Sequence, residues 1–258
     1  MLDLLASFPK IDKFFSILNG IFSDCPGVST KHIIAICMGM LALNSSTSVR
    51  KIYRLFANKV FKSHLNSYYH HLEYAKYDHN LWIAKLTRLA LSCINAHNKL
   101  PVSLIIDDTI IKKFGQKFEA VSNLYDHSIT DSENKYVNGH CFVCIVLAIP
   151  VLIKGNINYI RVPVGLKLWL PENVSDEYKT KIDMAYELLN TVKNEIDDNI
   201  QLVVVNDTWY SRDKIISFIK DNKNVEAVIA VRLNTVLYNK PTISKCGRGR
   251  PALKGKKN

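Results

Sequence analysis

Residues 104–109 read LIIDDT and residues 202–211 read LVVVNDTWYS. In each, a β-favouring apolar run ends on aspartate: Asp107 and Asp108 in the first, Asp207 in the second. Runs this apolar belong in the middle of a sheet. A carboxylate directly after one falls at the strand's C-terminal edge, where α/β folds gather their sites. If the two strands are neighbours, the carboxylates converge on one spot. Like charges that close repel unless a cation lies between them, and an all-oxygen donor set favours Mg²⁺ or Mn²⁺. The plainer alternative is that each Asp closes a turn, which is common for Asp-Thr after a strand. Two such aspartates in a basic chain favour the metal site.

Strand and helix patterns alternate from Pro101 onward. YVNGHCFVCIVLAIPVLIKG (136–155) predicts a strand, and NYIRVPVGLKLWL (158–170) another, with Pro163 pointing to an edge or a bulge. DEYKTKIDMAYELLNTVKNEI (176–196) predicts an amphipathic helix, SRDKIISFIKDN (211–222) a short helix capped by Ser211, and EAVIAVRLN (226–234) a last strand. Three consecutive strands followed by alternating helices and strands predict an α/β domain with a mixed sheet over 101–238. Cys141 and Cys144 form a C-x-x-C within one strand. Their side chains then point to opposite faces, which makes them core fillers rather than zinc ligands.

Residues 1–100 read as helical. VSTKHIIAICMGMLAL (28–43) starts at Ser29 or Thr30, STSVRKIYRLFANKVF (46–61) has Ser45, Ser46 or Thr47 as cap, and HNLWIAKLTRLALSCINAHNK (79–99) forms a third helix. The break at Asn44 to Thr47 allows a helix-turn-helix. The second helix carries Arg50, Lys51, Arg54, Lys59 and Lys62 with no acid, which suits either a DNA-backbone face or a solvated basic surface. Residues 239–258 hold seven basic residues, no acid, and several Gly and Pro.

The chain has 258 residues, 48% of them hydrophobic, and a net charge of +11. Residues 1–100 hold 12 basic and 5 acidic residues (+7), and the rest 22 and 18 (+4). The excess suggests a polyanionic partner. No apolar run reaches the roughly 20 residues of a membrane span. The segment MLDLLASFPKIDKFF lacks the basic start and continuous apolar stretch of a leader. A cytoplasmic protein with six reduced cysteines, and no membrane partner, is therefore expected.

LIIDDT, YDHS (125–128), YVNGHCFV (136–143), VVNDTWYS (204–211) and GRGRP (247–251) follow in that order. The set resembles the DDE-superfamily transposases of bacterial insertion sequences, with an RNase H-like core that carries a β-strand insertion. The resemblance implies a helical DNA-contacting domain over 1–100, a catalytic core over 101–238 and the start of the insertion over 239–258. It implies that Asp108, directly before Thr, and Asp207, in the D-[ST]-W-Y-S motif, ligate Mg²⁺ or Mn²⁺ and carry catalysis, with Asp107 the lesser candidate. The partner would be double-stranded DNA at element ends and target, with a homodimer as the assembly the reading allows. Trp209 and Tyr210 would orient the loop beside Asp207 or fill the core. His127 and His140 fall in motifs of the family without an assigned role. Arg248 and Arg250 would contact DNA, in the minor groove or along the backbone. A third acid, a Glu on a helix downstream of GRGRP, belongs to the family pattern, and the chain ends at Asn258 before such a helix. A truncated copy without independent catalysis is expected on that count.

Two other readings compete: a DNA-binding remnant without enzymatic activity, and a different α/β metal-dependent nuclease with a complete site. The latter would take Glu226, Asp126 or His127 as its third ligand.

Overall fold

The structure, a computed structural model, describes residues 9–23, 30–44, 48–94, 100–115, 118–130, 134–236, 238–239, 241 and 255–257. The chain divides into two compact units. One comprises Met1–Cys93 with Thr191–Ile196, the other Ile94–Asn190 with Asp197–Asn258.

The first unit is helical. It contains α1 (Pro9–Phe22), α2 (Lys31–Ala42), α3, α4 (Leu65–Tyr74) and α5 (His79–Leu91). The run α3 is built from Val49–Ile52, a π-helical turn Tyr53–Ala57 and Asn58–Val60. Its cap is Ser48, whose Oγ accepts from the Lys51 N–H at 3.3 Å; the expected Ser45, Ser46 and Thr47 lie outside the described residues. Thr30 stands at the start of α2 without a capping hydrogen bond, and Ser29 lies outside the described residues. The third expected helix begins at His79, as read, because Asp78 Oδ1 accepts from the N–H groups of Asn80 and Leu81 at 2.9 and 3.1 Å. It ends at Leu91, earlier than its sequence pattern.

Ala35, Ile36, Ile52, Ala57 and Tyr68 form the core of this unit. Gly39 lets α2 approach α3 closely, since a Cβ there would run into Ile52 Cγ2. Beside the core, His71 is fully buried and its Nε2 hydrogen-bonds the Tyr77 hydroxyl. The His32 ring lies 5.6 Å away.

The second unit is a six-stranded sheet with two long helices. Its elements are β1 (Val102–Lys112), β2 (Ser122–Tyr125), β3 (Tyr136–Ile153), β4 (Asn156–Trp169), α6 (Lys181–Lys193), β5 (Leu202–Asn206), α7 (Asp213–Asp221) and β6 (Val225–Ile229). Four strands, not three, precede α6; the short β2 has no apolar run to announce it. The order is β2-β3-β1-β5-β6, with β4 also on β3. β1, β3 and β4 pair antiparallel, and β5 and β6 extend the sheet parallel to β1. This mixed sheet, with helices crossing from β4 to β5 and from β5 to β6, is RNase H-like.

Alternation decides which residues face the core. Val102, Leu104 and Ile106 of β1 are buried, as are Cys141, Val143, Ile145 and Leu147 of β3 and Leu202 and Val204 of β5. Cys144, of opposite parity to Cys141, is half-buried. Pro163 lies where the β3–β4 register shifts, at Ile145/Val146, on a strand that pairs with β3 alone. Ser211 is not the cap of α7; the N-cap is Arg212, which makes no side-chain cap bond. Toward the C-terminus, Tyr238 bridges Lys257 in antiparallel fashion, and the Asn239 N–H donates to the Lys256 carbonyl at 2.9 Å.

Candidate active site

Asp107 and Asp108 do not end β1, as the sequence suggested. The strand runs on to Lys112, because its antiparallel pairing with β3 continues to Lys112↔Gly139. What ends there is the parallel pairing with β5, whose last rung is Ile106↔Asn206. Asp107 and Asp207 are the next residue on each chain. The carboxylates thus stand where the sheet changes from two partners for β1 to one.

Strand alternation splits the adjacent aspartates. Asp107 follows Ile105 onto the half-buried face, and Asp108 follows Leu104 and Ile106 toward the core face. Asp107 Oδ1 accepts from the Asp108 N–H at 2.8 Å. Loss of solvent around Asp107 lifts its carboxyl above the usual range, and the charges of Asp108 and Asp207 add to that, against the lowering effect of the Asp108 N–H. On the other face, Lys181, at the start of α6, is ion-paired with Asp108 Oδ2. The Lys181 Nζ also stands 5.3 Å from the Trp169 ring centroid. Burial works to lower the Lys181 ammonium, but the hydrogen bond and charge of Asp108 outweigh it and the net shift is upward. Cys141 Sγ lies 3.8 Å from the same Oδ2. Burial pushes up the Cys141 thiol, and pushes that of Cys144 to about 11, so neither is a ready thiolate ligand.

Asp207 does two things. Its Oδ1 accepts from the N–H groups of Trp209 and Tyr210, at 3.0 and 3.2 Å, closing a turn. Its Oδ2 has no hydrogen-bond or ion-pair partner among the described residues. Ser211 Oγ lies 3.0 Å from the carbonyls of both Asp207 and Ala230, and Asn206 Nδ2 donates to the Asp207 carbonyl at 2.8 Å. Ser211 therefore ties the loop to the end of β6. Tyr210 is buried and belongs to the core, whereas the Trp209 side chain is half exposed.

All three aspartates line one groove of about 1160 Å³, together with Lys181, Arg212 and Arg232. Lys112, Tyr125, Asp126 and His127 line the same groove. Asp126 accepts from Ser128 and pairs with Lys112 at 3.0 Å, which together hold its carboxyl down to about 2. His127 packs edge-on against Tyr125, with ring centroids 4.7 Å apart. His140 lies apart from the groove's lining, its Nε2 2.8 Å from the Glu119 carbonyl. Glu226, the second residue of β6, is exposed and does not line the groove either.

A family model described as "DDE superfamily endonuclease" matches residues 26–258. The chain belongs to the DDE superfamily of endonucleases. No curated protein matches it. DDE endonucleases act on DNA and use divalent metal ions, and the groove offers donors of the right chemistry. Among the described residues no three His, Cys, Asp or Glu side chains are grouped to cage an ion. Mg²⁺, however, is ordinarily held by one or two carboxylates together with waters and substrate phosphates. Asp107, whose ionised form the charge of Asp207 disfavours, and Asp207, whose Oδ1 alone is taken up by the turn, fit that mode.

The DNA-contact residues expected from sequence fall in two places. Arg50, Lys51 and Arg54 are all exposed on α3, within the helical unit. Arg248 and Arg250 lie outside the described residues. Lys181, Arg212 and Arg232, which also line the groove, do not stand out in the sequence. Their only signal is position, since each stands at or just beyond the end of an element whose register becomes visible only in the fold. Among the described residues no helix is long and apolar enough to cross a membrane.

Proposed function

We propose that this chain is a transposase that cleaves DNA strands at the ends of a mobile element and transfers them, with the aspartate groove as its reaction centre. The observation that carries the reading is the convergence of Asp107, Asp108 and Asp207 in a groove that also presents Lys181, Arg212 and Arg232. Asp107 and Asp207 are the pair that would hold Mg²⁺ or Mn²⁺. Asp108, the aspartate favoured from sequence, stays with Lys181 and fixes the start of α6 against β1. When bound, the metal would supply an activated oxygen nucleophile and offset charge on the phosphate. The protein's own part is to align the strand: Arg212 and Arg232 meet phosphates, and the turn closed by Asp207 Oδ1 keeps that carboxylate aimed into the groove. The exposed cations of α3, Arg50, Lys51 and Arg54, serve duplex binding.

The test is nicking of supercoiled plasmid in Mg²⁺ or Mn²⁺. Where the family's third acid is supplied in a version extended through the downstream helix, metal-dependent nicking is expected, falling by at least about 10²-fold in Asp207→Asn and Asp107→Asn, in line with the loss of one essential electrostatic group. If nicking persists in both variants, or never appears while DNA binding stays intact, the chain is a DNA-binding protein without this chemistry.

A further inference from the structure

Trp209 and Tyr178 are large rings left in water. Their exposures are 51% and 40%, and both line the aspartate groove. Neither ring has an aromatic, cation–π or hydrogen-bond partner among the described residues. Trp209 is also held in place: its backbone N–H donates to Asp207 Oδ1, and the next residue, Tyr210, is buried. The backbone that carries the ring is therefore anchored two residues from a carboxylate of the reaction centre. Arg212 and Arg232, lining the same groove, have no ion-pair partner among the described residues either.

A ligand that satisfies these groups together has a flat π-face and an anionic linkage, which is the chemistry of a nucleotide. Within a duplex both faces of a base are covered by its neighbours, so an exposed protein ring can stack only on a base that has left the helix. We propose that the groove binds an unpaired nucleotide, its base stacked on Trp209 with Tyr178 as a second platform, and its phosphate on Arg212 and Arg232. Resting on the function proposed above, this makes the substrate a locally opened DNA strand. Stacking accepts every base, so it supplies affinity at the cleavage point without sequence preference.

The test uses the full chain without Mg²⁺ or Mn²⁺, so that the strand stays intact. The probe is a single strand of about ten nucleotides carrying one 2-aminopurine, compared with the same strand annealed into a duplex. The single strand is expected to bind with quenching of the 2-aminopurine, and the duplex without it. Trp209→Ala should weaken single-strand binding about tenfold or more, Trp209→Phe should restore most of it, and Tyr178→Ala should give a smaller loss. Asp107→Asn with Asp207→Asn should bind at least as tightly as the wild type, because two repelling charges are gone. If Trp209→Ala, shown by circular dichroism to be folded, binds the single strand as tightly as the wild type, the stacking site is overturned, whether or not its melting temperature has fallen. Equal quenching by the duplex overturns it too. Plasmid nicking run in parallel separates the two claims: nicking by the extended version together with unchanged affinity in Trp209→Ala removes the stacking site and leaves the nuclease.

Discussion

Lys181 and Asp108 are ion-paired, joining the first residue of α6 to the middle of β1. The side chains are 22% and 30% exposed, so the pair is largely shielded from water. Removing one partner leaves the other as an uncompensated, partly buried charge. Lys181→Met is therefore expected to lower the unfolding free energy by about 1–3 kcal/mol in urea titration, less than for a wholly buried pair. Lys181→Arg should keep most of it. Unchanged stability in Lys181→Met would mean that the contact is not made in solution.

The buried histidine of the helical unit gives a pH dependence. Burial holds the His71 imidazole below its ordinary value, and the neighbouring His32 and His70 add to that. The unfolded chain thus takes up a proton that the fold resists. Stability from this group is full above the unfolded value of about 6.5 and is lost as pH falls below it, toward the lower folded value. The thermal midpoint should drop between about pH 7.5 and pH 5.5, and the drop should shrink in His71→Gln. An equally steep drop in that variant would place the titrating group elsewhere.

Gly139 of β3 pairs with Lys112 at the end of β1. A Cβ there would lie 2.6 Å from the Ile111 carbonyl oxygen, a backbone atom that cannot step aside. Gly139→Ala is expected to cost about 1–3 kcal/mol, as overpacking does. The amides of Ile111 and Lys112 should exchange hydrogen faster than those of Leu104 and Ile106. Wild-type stability in this variant would contradict the close approach.

The basic face of α3 makes a prediction independent of the aspartates. Arg50→Ala, Lys51→Ala and Arg54→Ala should each weaken duplex binding across all sequences and reduce the slope of log K against log salt by about 1. A loss confined to one sequence would indicate base contacts instead, and no loss would leave α3 as a solvated surface.

Much of this architecture was legible in sequence because it rests on alternation. The buried runs of β1, β3 and β5 and the amphipathic α6 announce themselves by period, and Pro163 marked the β4 irregularity through its missing N–H. The Asp207 turn was legible in the same way, since Asp-Thr after a strand is local chemistry. The placing of Asp107 level with Asp207, and of Asp108 on the other face, was not. It depends on which rung of β1 meets the last rung of β5, and sequence says nothing about register between strands about 100 residues apart. Lys181 escaped for the same reason, as its partner is 73 positions away. Ser211 resembled a helix cap because caps and loop ties use the same hydroxyl; only the nearness of the Ala230 carbonyl decides between them.

In the proposed site Asp107 and Asp207 share one hard cation while Asp108 is held by Lys181. Titration of Mn²⁺ followed by electron paramagnetic resonance, on the wild type and on Asp107→Asn, Asp108→Asn and Asp207→Asn, addresses it directly. One bound Mn²⁺ is expected in the wild type, weakened at least about tenfold in Asp107→Asn and in Asp207→Asn, and retained in Asp108→Asn. Loss of Mn²⁺ in Asp108→Asn with full retention in Asp107→Asn would contradict it, and would place the metal on the face now taken by Lys181.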